Sequence, residues 1–509
     1  MPEQFLHGVQ VVELDSGPRP IRTVASSVIG IIGTAPGAQA AAAAVLQTGV
    51  VASNNALTWT AKVAGALGND IAVILRDPVA NSAALSVSVT GKVITVNLAT
   101  NGSGVITTTA AQVITAIGAN TAANDLVTVA NTGASTGAGV VAALLQTYLA
   151  DGVDEAFPLD TPVLISGTRG EAAKLGTTGT LPAALDAILD QVGAAVVVVR
   201  VAVGADAAAT QVNVIGSVDS ATGQYKGAQA LLGAESALGV VPRILIAPGF
   251  TEAVTKVSTT ITGAPVTSAL VTVAERLRAI IVADGPNTND ADAIAYRSLF
   301  GSARVYVVDP GVKIVDSTGA TVNDPASARV AGVIARTDND LGFWNSPSNK
   351  EINGIVGTKR AVDFVLGDPN ARANYLNSRE VATIIRQDGY RLWGNRTCSS
   401  DPKWAFLPVR RTADLINDSI LRAHLWAVDR AITKTYLDDV VASVNSYLSY
   451  LREVGAIIDG KCWVDKSLNT PEQIADGRVT FDFDFTPPYP AEKITFRSRL
   501  TNEYLSEIV

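Results

Sequence analysis

Ala195-Val-Val-Val-Val-Arg-Val201 decides the fold. The run is β-branched, carries one charge and does not alternate apolar with polar residues. A strand with one wet face would alternate, so this one predicts burial on both faces. Strand-like runs of the same character recur at 162–165, 243–247, 279–283 and 304–308. Between them lie segments with helical spacing, at 181–189, 224–238, 266–277 and 290–299. Apolar strands alternating with helices predict a mostly parallel sheet with helices on both faces. Upstream, Val28-Ile29-Gly30-Ile31-Ile32-Gly33-Thr34-Ala35-Pro36-Gly37 reads as one more buried strand running into a turn.

Outside this pattern the chain changes character three times. Residues 8–14 form a short strand pattern, broken by Ser16-Gly17-Pro18-Arg19-Pro20, with no adjacent hairpin partner. Residues 38–155 are rich in Ala, Thr, Asn, Gly and Val and hold two aromatics, Trp59 and Tyr148. Within them, 85–98 alternates with period two about Gly91-Lys92 and predicts a hairpin. Residues 109–117 predict a helix with Thr109 as its cap, and 126–129 a further strand. This stretch reads as an inserted α+β domain. Residues 341–509 hold five of the six tryptophans. There, Gln387-Asp388-Gly389 joins two strand patterns as a hairpin. Residues 409–454 lack Gly and Pro and carry helical spacing, with a capping start at Thr435 that divides them into two helices. Strands are expected at 479–485 and 494–500.

Composition excludes several functions. Apolar residues make up 48% of the 509 and charged residues 17%, well below the usual share of about 25%. Disorder is excluded, and a chain this apolar must cover much of its surface, in cores or against partners. No apolar run reaches the ~18 residues a spanning helix needs. The first residues lack the basic and apolar regions of a signal peptide, so a cytosolic protein is expected. Cys398 and Cys462 are expected to be reduced. Net charge is −8, which disfavours nucleic acid. The charge is uneven: residues 350–411 hold 11 basic and 6 acidic side chains, and residues 412–509 hold 10 and 15. Such a bias is usually a solvated face and sometimes a docking surface.

Motifs for chemistry are weak. His7 and His424 are the only histidines, which leaves no His-rich zinc site and little room for a Ser-His-Asp triad. Gly167-Thr-Arg-Gly170, and Gly30, Gly33 and Gly37, each follow a strand, yet lack the Walker lysine or an acidic ribose partner. Asp482 and Asp484 alternate with Phe481, Phe483 and Phe485, a half-buried strand pattern rather than a metal site. Asp438-Asp439 reads as charge at a helix N-terminus. Nothing assembles a nucleophile, a base and an oxyanion hole, and the chain reads as structural.

Several stretches resemble contractile bacteriophage tail sheath proteins. They are the strand pattern at Gly8-Val9, Gly33-Thr34-Ala35-Pro36, Phe157-Pro158-Leu159-Asp160-Thr161-Pro162-Val163-Leu164, Pro242-Arg243-Ile244-Leu245-Ile246-Ala247-Pro248-Gly249 and Ser346-Pro347-Ser348-Asn349-Lys350. The densest are Ala373-Asn374-Tyr375-Leu376-Asn377, Leu392-Trp393-Gly394-Asn395-Arg396-Thr397-Cys398, Trp426-Ala427-Val428-Asp429-Arg430 and Gly460-Lys461-Cys462-Trp463. The resemblance covers 1–37 and 156–509; residues 38–155 depart from it as an insertion.

The resemblance implies a helical homo-oligomer of stacked rings around an inner tail tube protein, ending at baseplate and tail terminator proteins. The sheath would shorten to drive the tube through a host envelope for genome delivery, without a cofactor, a metal or membrane insertion. It would sit in the virion tail, after assembly in the host cytoplasm. The expected class is α/β: a mostly parallel-sheet core domain (23–37 and 156–340), a small α+β insert (38–155) and an α+β C-terminal inner domain (341–490), with terminal strand arms (1–22 and 491–509). The arms, through Val9, Val11, Val12, Ile494, Phe496 and Leu500, would add strands to neighbours. Lys359, Arg360, Arg372, Arg379, Arg410 and Arg411 are candidates to face an acidic tube. A sheath of a bacteriocin or a contractile secretion system stays open as an alternative, as does a nucleotide-binding α/β enzyme.

Overall fold

The computed structural model describes residues 20–507, in two compact units. One takes in the chain up to Pro36, Leu159–Ala173 and everything from Thr177 onward; the other is Gly37–Pro158 with Lys174–Gly176.

The larger unit is built on an eight-stranded sheet. Its order is Tyr390–Trp393, Val381–Arg386, Val305–Val308, Ile280–Asp284, Ile244–Ile246, Ile29–Thr34, Ala195–Val201 and Pro162–Ser166. The six inner strands run parallel, and each outermost strand is antiparallel to its neighbour. Ile29–Thr34 is buried along its whole length, as its unbroken apolar run requires. Gly30 and Gly33 belong to packing. A Cβ at Gly33 would lie 2.3 Å from Thr180 Oγ1, and one at Gly30 2.9 Å from Pro242 Cβ. Thr180 Oγ1 instead accepts from the Thr34 N–H at 3.1 Å, locking the strand end to the start of the Leu181–Leu189 helix.

Sequence reading placed a domain edge at 340, and the sheet runs through it. Val381–Arg386 lies parallel to Val305–Val308, with Val307 opposite Val381, and the Asp388-Gly389 hairpin ends the sheet. The helix Ser327–Leu341 was not foreseen. Arg329, Arg336 and Asp338 interrupt its apolar pattern, yet eleven of its fifteen residues are buried. Gly332 lets it cross close to the Leu181–Leu189 helix, since a Cβ there would meet Ile188 O at 3.0 Å.

Beyond the sheet, Leu407–Ala423 and Lys434–Glu453 form the two expected helices. The second is capped by Thr433, whose hydroxyl accepts from Tyr436 N at 3.1 Å, and not by Thr435. With the antiparallel hairpin Asp459–Val464 and Phe481–Thr486, they enclose a core of Leu415, Ile416, Val444, Leu448, Leu451 and Cys462. Cys398 and Cys462 are free thiols.

The smaller unit has its own core about Trp59, which is fully buried and donates Nε1–H to Thr48 Oγ1 at 3.1 Å. Leu57–Ala61 sits between Val45–Thr48 and Val127–Asn131; a second sheet holds Ser86–Thr90, Val93–Asn97, Ala72–Arg76 and Leu144–Tyr148. Thr109 and Gln112 form a capping box on the Ala110–Ala119 helix. Ala42 and Val153 pair, so the unit's two ends meet.

Candidate functional site

Among the described residues there is no group of three or more His, Cys, Asp or Glu side chains placed to hold a metal ion, and no helix long and apolar enough to cross a membrane. The glycine of Gly167-Thr-Arg-Gly170 leads into a four-residue helix whose Arg169 is bound to Asp190 and Asp186. The chemistry of the larger unit lies instead in ion pairs and in an open edge of its C-terminal hairpin.

The Leu407–Ala423 helix carries three charged clamps. Arg304, just before its strand, binds Asp414 at 2.9 and 3.2 Å and Glu275 at 2.7 Å, while Arg410 reaches Asp414 at 2.7 Å. Arg243, also just before its strand, binds Asp418, which Arg422 contacts at 2.8 Å. Burial pushes the Asp418 carboxyl up, but Arg422 and Arg243 outweigh it and hold it below the usual range. Arg411 grips Asp338 with two bonds of 2.6 and 2.5 Å. These clamps tie the C-terminal helix to the ends of the parallel strands and to the Ser327–Leu341 helix.

This changes the reading of the basic stretch. Arg411 is 4% exposed, so it is a core residue and not a surface candidate. Arg360 bridges Asp290 and Asp309, and Arg372 Nε holds Asp290 at 2.9 Å. Asp309 is fully buried, and burial pushes it up to about 6 against the pull of Arg360. Arg410 is spent on Asp414 and lies over the Trp404 ring at 4.1 Å. Lys359 and Arg379 alone of the six are exposed without an ion pair among the described residues. Much of the positive charge in 350–411 is answered by acids outside that stretch, three of them, Asp290, Asp309 and Asp338, distant in sequence, which no local count reveals.

The hairpin supplies the open edge. Asn445 receives Cys462 N–H at 2.8 Å on Oδ1 and donates Nδ2–H to Cys462 O at 3.0 Å. Both main-chain groups of Cys462 therefore point away from the partner strand, toward the Lys434–Glu453 helix. In an antiparallel ladder the residue directly opposite must do the same in the other direction. That residue is Phe483, so Phe481, Phe483 and Phe485 direct their N–H and C=O groups outward. Among the described residues nothing covers that edge. One edge of this two-stranded sheet is shut by Asn445 and the other is open.

Next along the chain, residues 487–501 have no regular structure, which differs from the strand expected at 494–500. A strand needs a ladder, and this segment has none within its own chain. Ile494, Phe496 and Leu500 are 70%, 91% and 100% exposed. The root of the segment is fixed: Glu492 takes three bonds from Arg396, at 2.8, 3.1 and 2.5 Å, and Tyr489 packs edge-on to Phe406. Val9, Val11 and Val12 lie outside the described residues. The open edge escaped sequence reading, since only the Asn445 contact shows which strand is covered.

Comparison with known proteins follows the same lines. The family model for the phage tail sheath protein central domain matches residues 223–398, and that for the phage tail sheath C-terminal domain matches 399–501. The model for the tail sheath protein Gp18 domain III N-terminal region matches 138–201. The chain is 46% identical over 351 residues to a putative prophage major tail sheath protein of Pseudomonas aeruginosa (strain UCBPP-PA14), covering 69% of this chain and 88% of that one. It is 39% identical to the tail sheath protein of Escherichia phage P2, covering 70% and 89%. The anti-feeding prophage helical sheath in its contracted state superposes with a TM-score of 0.52 at 21% identity, over 67% of this chain and 89% of that chain, a likeness of fold.

Proposed function

Since this chain belongs to the phage tail sheath protein family and is a structural subunit of a contractile sheath, we propose that its copies link by strand addition at the open edge of the Asp459–Val464 and Phe481–Thr486 hairpin. The observation that carries this is the pairing of two unmet needs in one chain. An edge at Phe481, Phe483 and Phe485 has free main-chain groups, and a segment with exposed Ile494, Phe496 and Leu500 has no ladder. The sequence pattern at Val9, Val11 and Val12 offers a second candidate for such addition.

Linked copies stack as rings around an inner tube, in a virion tail bounded by baseplate and terminator proteins. Shortening of that stack drives the tube through a host envelope. Of the basic candidates, Lys359 and Arg379 are left for the tube. Contacts of this kind are worth about 0–1 kcal/mol each and screen with salt, which suits a grip that must release. The insert at 38–155 has its own core and serves as an outer decoration.

Phe483→Pro tests the linkage. Proline removes an outward N–H while leaving the hairpin's internal bonds, a change tolerated at an edge. Phe483→Ala controls for the lost ring. The alanine variant should form tubes by negative-stain microscopy, and the proline variant should stay as folded subunits. Wild-type tubes from the proline variant overturn the reading.

A further inference from the structure

The hairpin has two faces, and they differ in kind. Phe481, Phe483 and Phe485 pack on the C-terminal core. Period two sends Asp482 and Asp484 to the opposite face, with Trp463 and Lys461 directly across from them. Asp484 Oδ1 accepts the Lys461 main-chain N–H at 3.0 Å, but neither carboxylate has an ion pair among the described residues. Two carboxylates two residues apart on an open edge strand thus face one cation, Lys461, across the hairpin, and neither is held in an ion pair among the described residues.

The unpaired segment carries the complement. Ile494-Thr495-Phe496-Arg497-Ser498-Arg499-Leu500 alternates, with Ile494, Phe496 and Leu500 in one row and Arg497 and Arg499 in the other. Both arginines are exposed and without an ion pair among the described residues. Once this segment lies on the open edge, parity leaves one arrangement. The row of Ile494 and Phe496 must continue the phenylalanine row over the core, since a slip of one residue would bury the arginines. Arg497 and Arg499 then fall on the carboxylate face, and arginines two residues apart match carboxylates two residues apart. Within its own chain the segment does not take that edge: residues 487–501 form no ladder, and Glu492, two residues before Ile494, is held by Arg396.

We propose that Arg497 and Arg499 of one copy pair with Asp482 and Asp484 of a second copy, and so fix the face and register of the added strand. This rests on the strand-addition reading above and names its selectivity. The test uses two full-length variants, Asp482→Arg with Asp484→Arg, and Arg497→Asp with Arg499→Asp. Each alone should raise the critical concentration for tube formation about tenfold, from two cross-strand pairs turned repulsive. An equimolar mixture should assemble near the wild-type concentration, because each variant offers the partner the other needs. Asp482→Asn with Asp484→Asn is the milder form, and its assembly should lose salt dependence. If a third chain, carrying all four reversals together, assembles while the mixture does not, the pairing is within one chain and the proposal is overturned. If neither reversal shifts assembly while Phe483→Pro abolishes it, strand addition stands and the charge pairing fails. If Phe483→Pro assembles as well, strand addition itself has failed.

Discussion

Arg411→Met should destabilise the larger unit by about 3–5 kcal/mol, the cost of leaving a buried charge without its partner. The size follows from the surroundings of the pair. Arg411 and Asp338 are 4% and 1% exposed, and their two bonds are 2.6 and 2.5 Å. Methionine keeps the aliphatic bulk, while the Asp338 carboxylate loses the side chain that satisfied it. The Ser26 carbonyl also loses the Arg411 N–H at 3.2 Å. Removing both charges should cost far less, so Arg411→Met with Asp338→Leu should return to within about 1–2 kcal/mol of wild type. Urea unfolding of the full chain, read by tryptophan fluorescence, gives the cycle. Five of the six tryptophans lie at Trp344 or beyond, so the signal reports this unit. A single variant within about 1 kcal/mol of wild type, or a double variant no better than the single, refutes the reasoning. For the same reason, charge reversal at Arg411 would damage the fold and would say nothing about a tube.

Two further outcomes follow from the cores. Burial pushes Asp284 up to about 7 from an ordinary 3.8, although the Ser327 N–H and hydroxyl both bond to it. The folded chain thus holds a proton that the unfolded chain releases, so this group's stabilisation is full below about pH 4 and is lost as pH rises toward 7. Asp284→Asn should flatten that fall in unfolding free energy between pH 4 and 7, by on the order of a few kcal/mol across the window; an unchanged slope counts against it. Trp59→Ala should destabilise the smaller unit by about 3–5 kcal/mol and expose 37–158 to protease, leaving the larger unit's urea midpoint in place. A shift of both transitions together would mean that the two cores are not independent.

Periodicity in the sequence determined most of the architecture. Unbroken runs such as 195–201 could be satisfied only between two layers, and the Asp388-Gly389 and Gly91-Lys92 turns permitted only hairpins. The insert was legible because its composition changes abruptly; the strand expected at 494–500 has no ladder within the chain, and the one expected at 8–14 lies outside the described residues. The tertiary structure decided where charges go and which edge stays open. Arg360, Arg372, Arg410 and Arg411 form a basic cluster in sequence, yet in the fold they meet Asp290, Asp309, Asp414 and Asp338. Three of those acids reach them across long stretches of chain, and no local pattern encodes such a meeting. The helix Ser327–Leu341 was hidden for the same reason, since its buried charges look like surface until their partners are known. The open edge at Phe483 depends on Asn445, seventeen residues from the Cys462 it covers. Period is a property of neighbours in the chain and can be read there; charge pairing and edge coverage belong to neighbours in space, which folding alone selects.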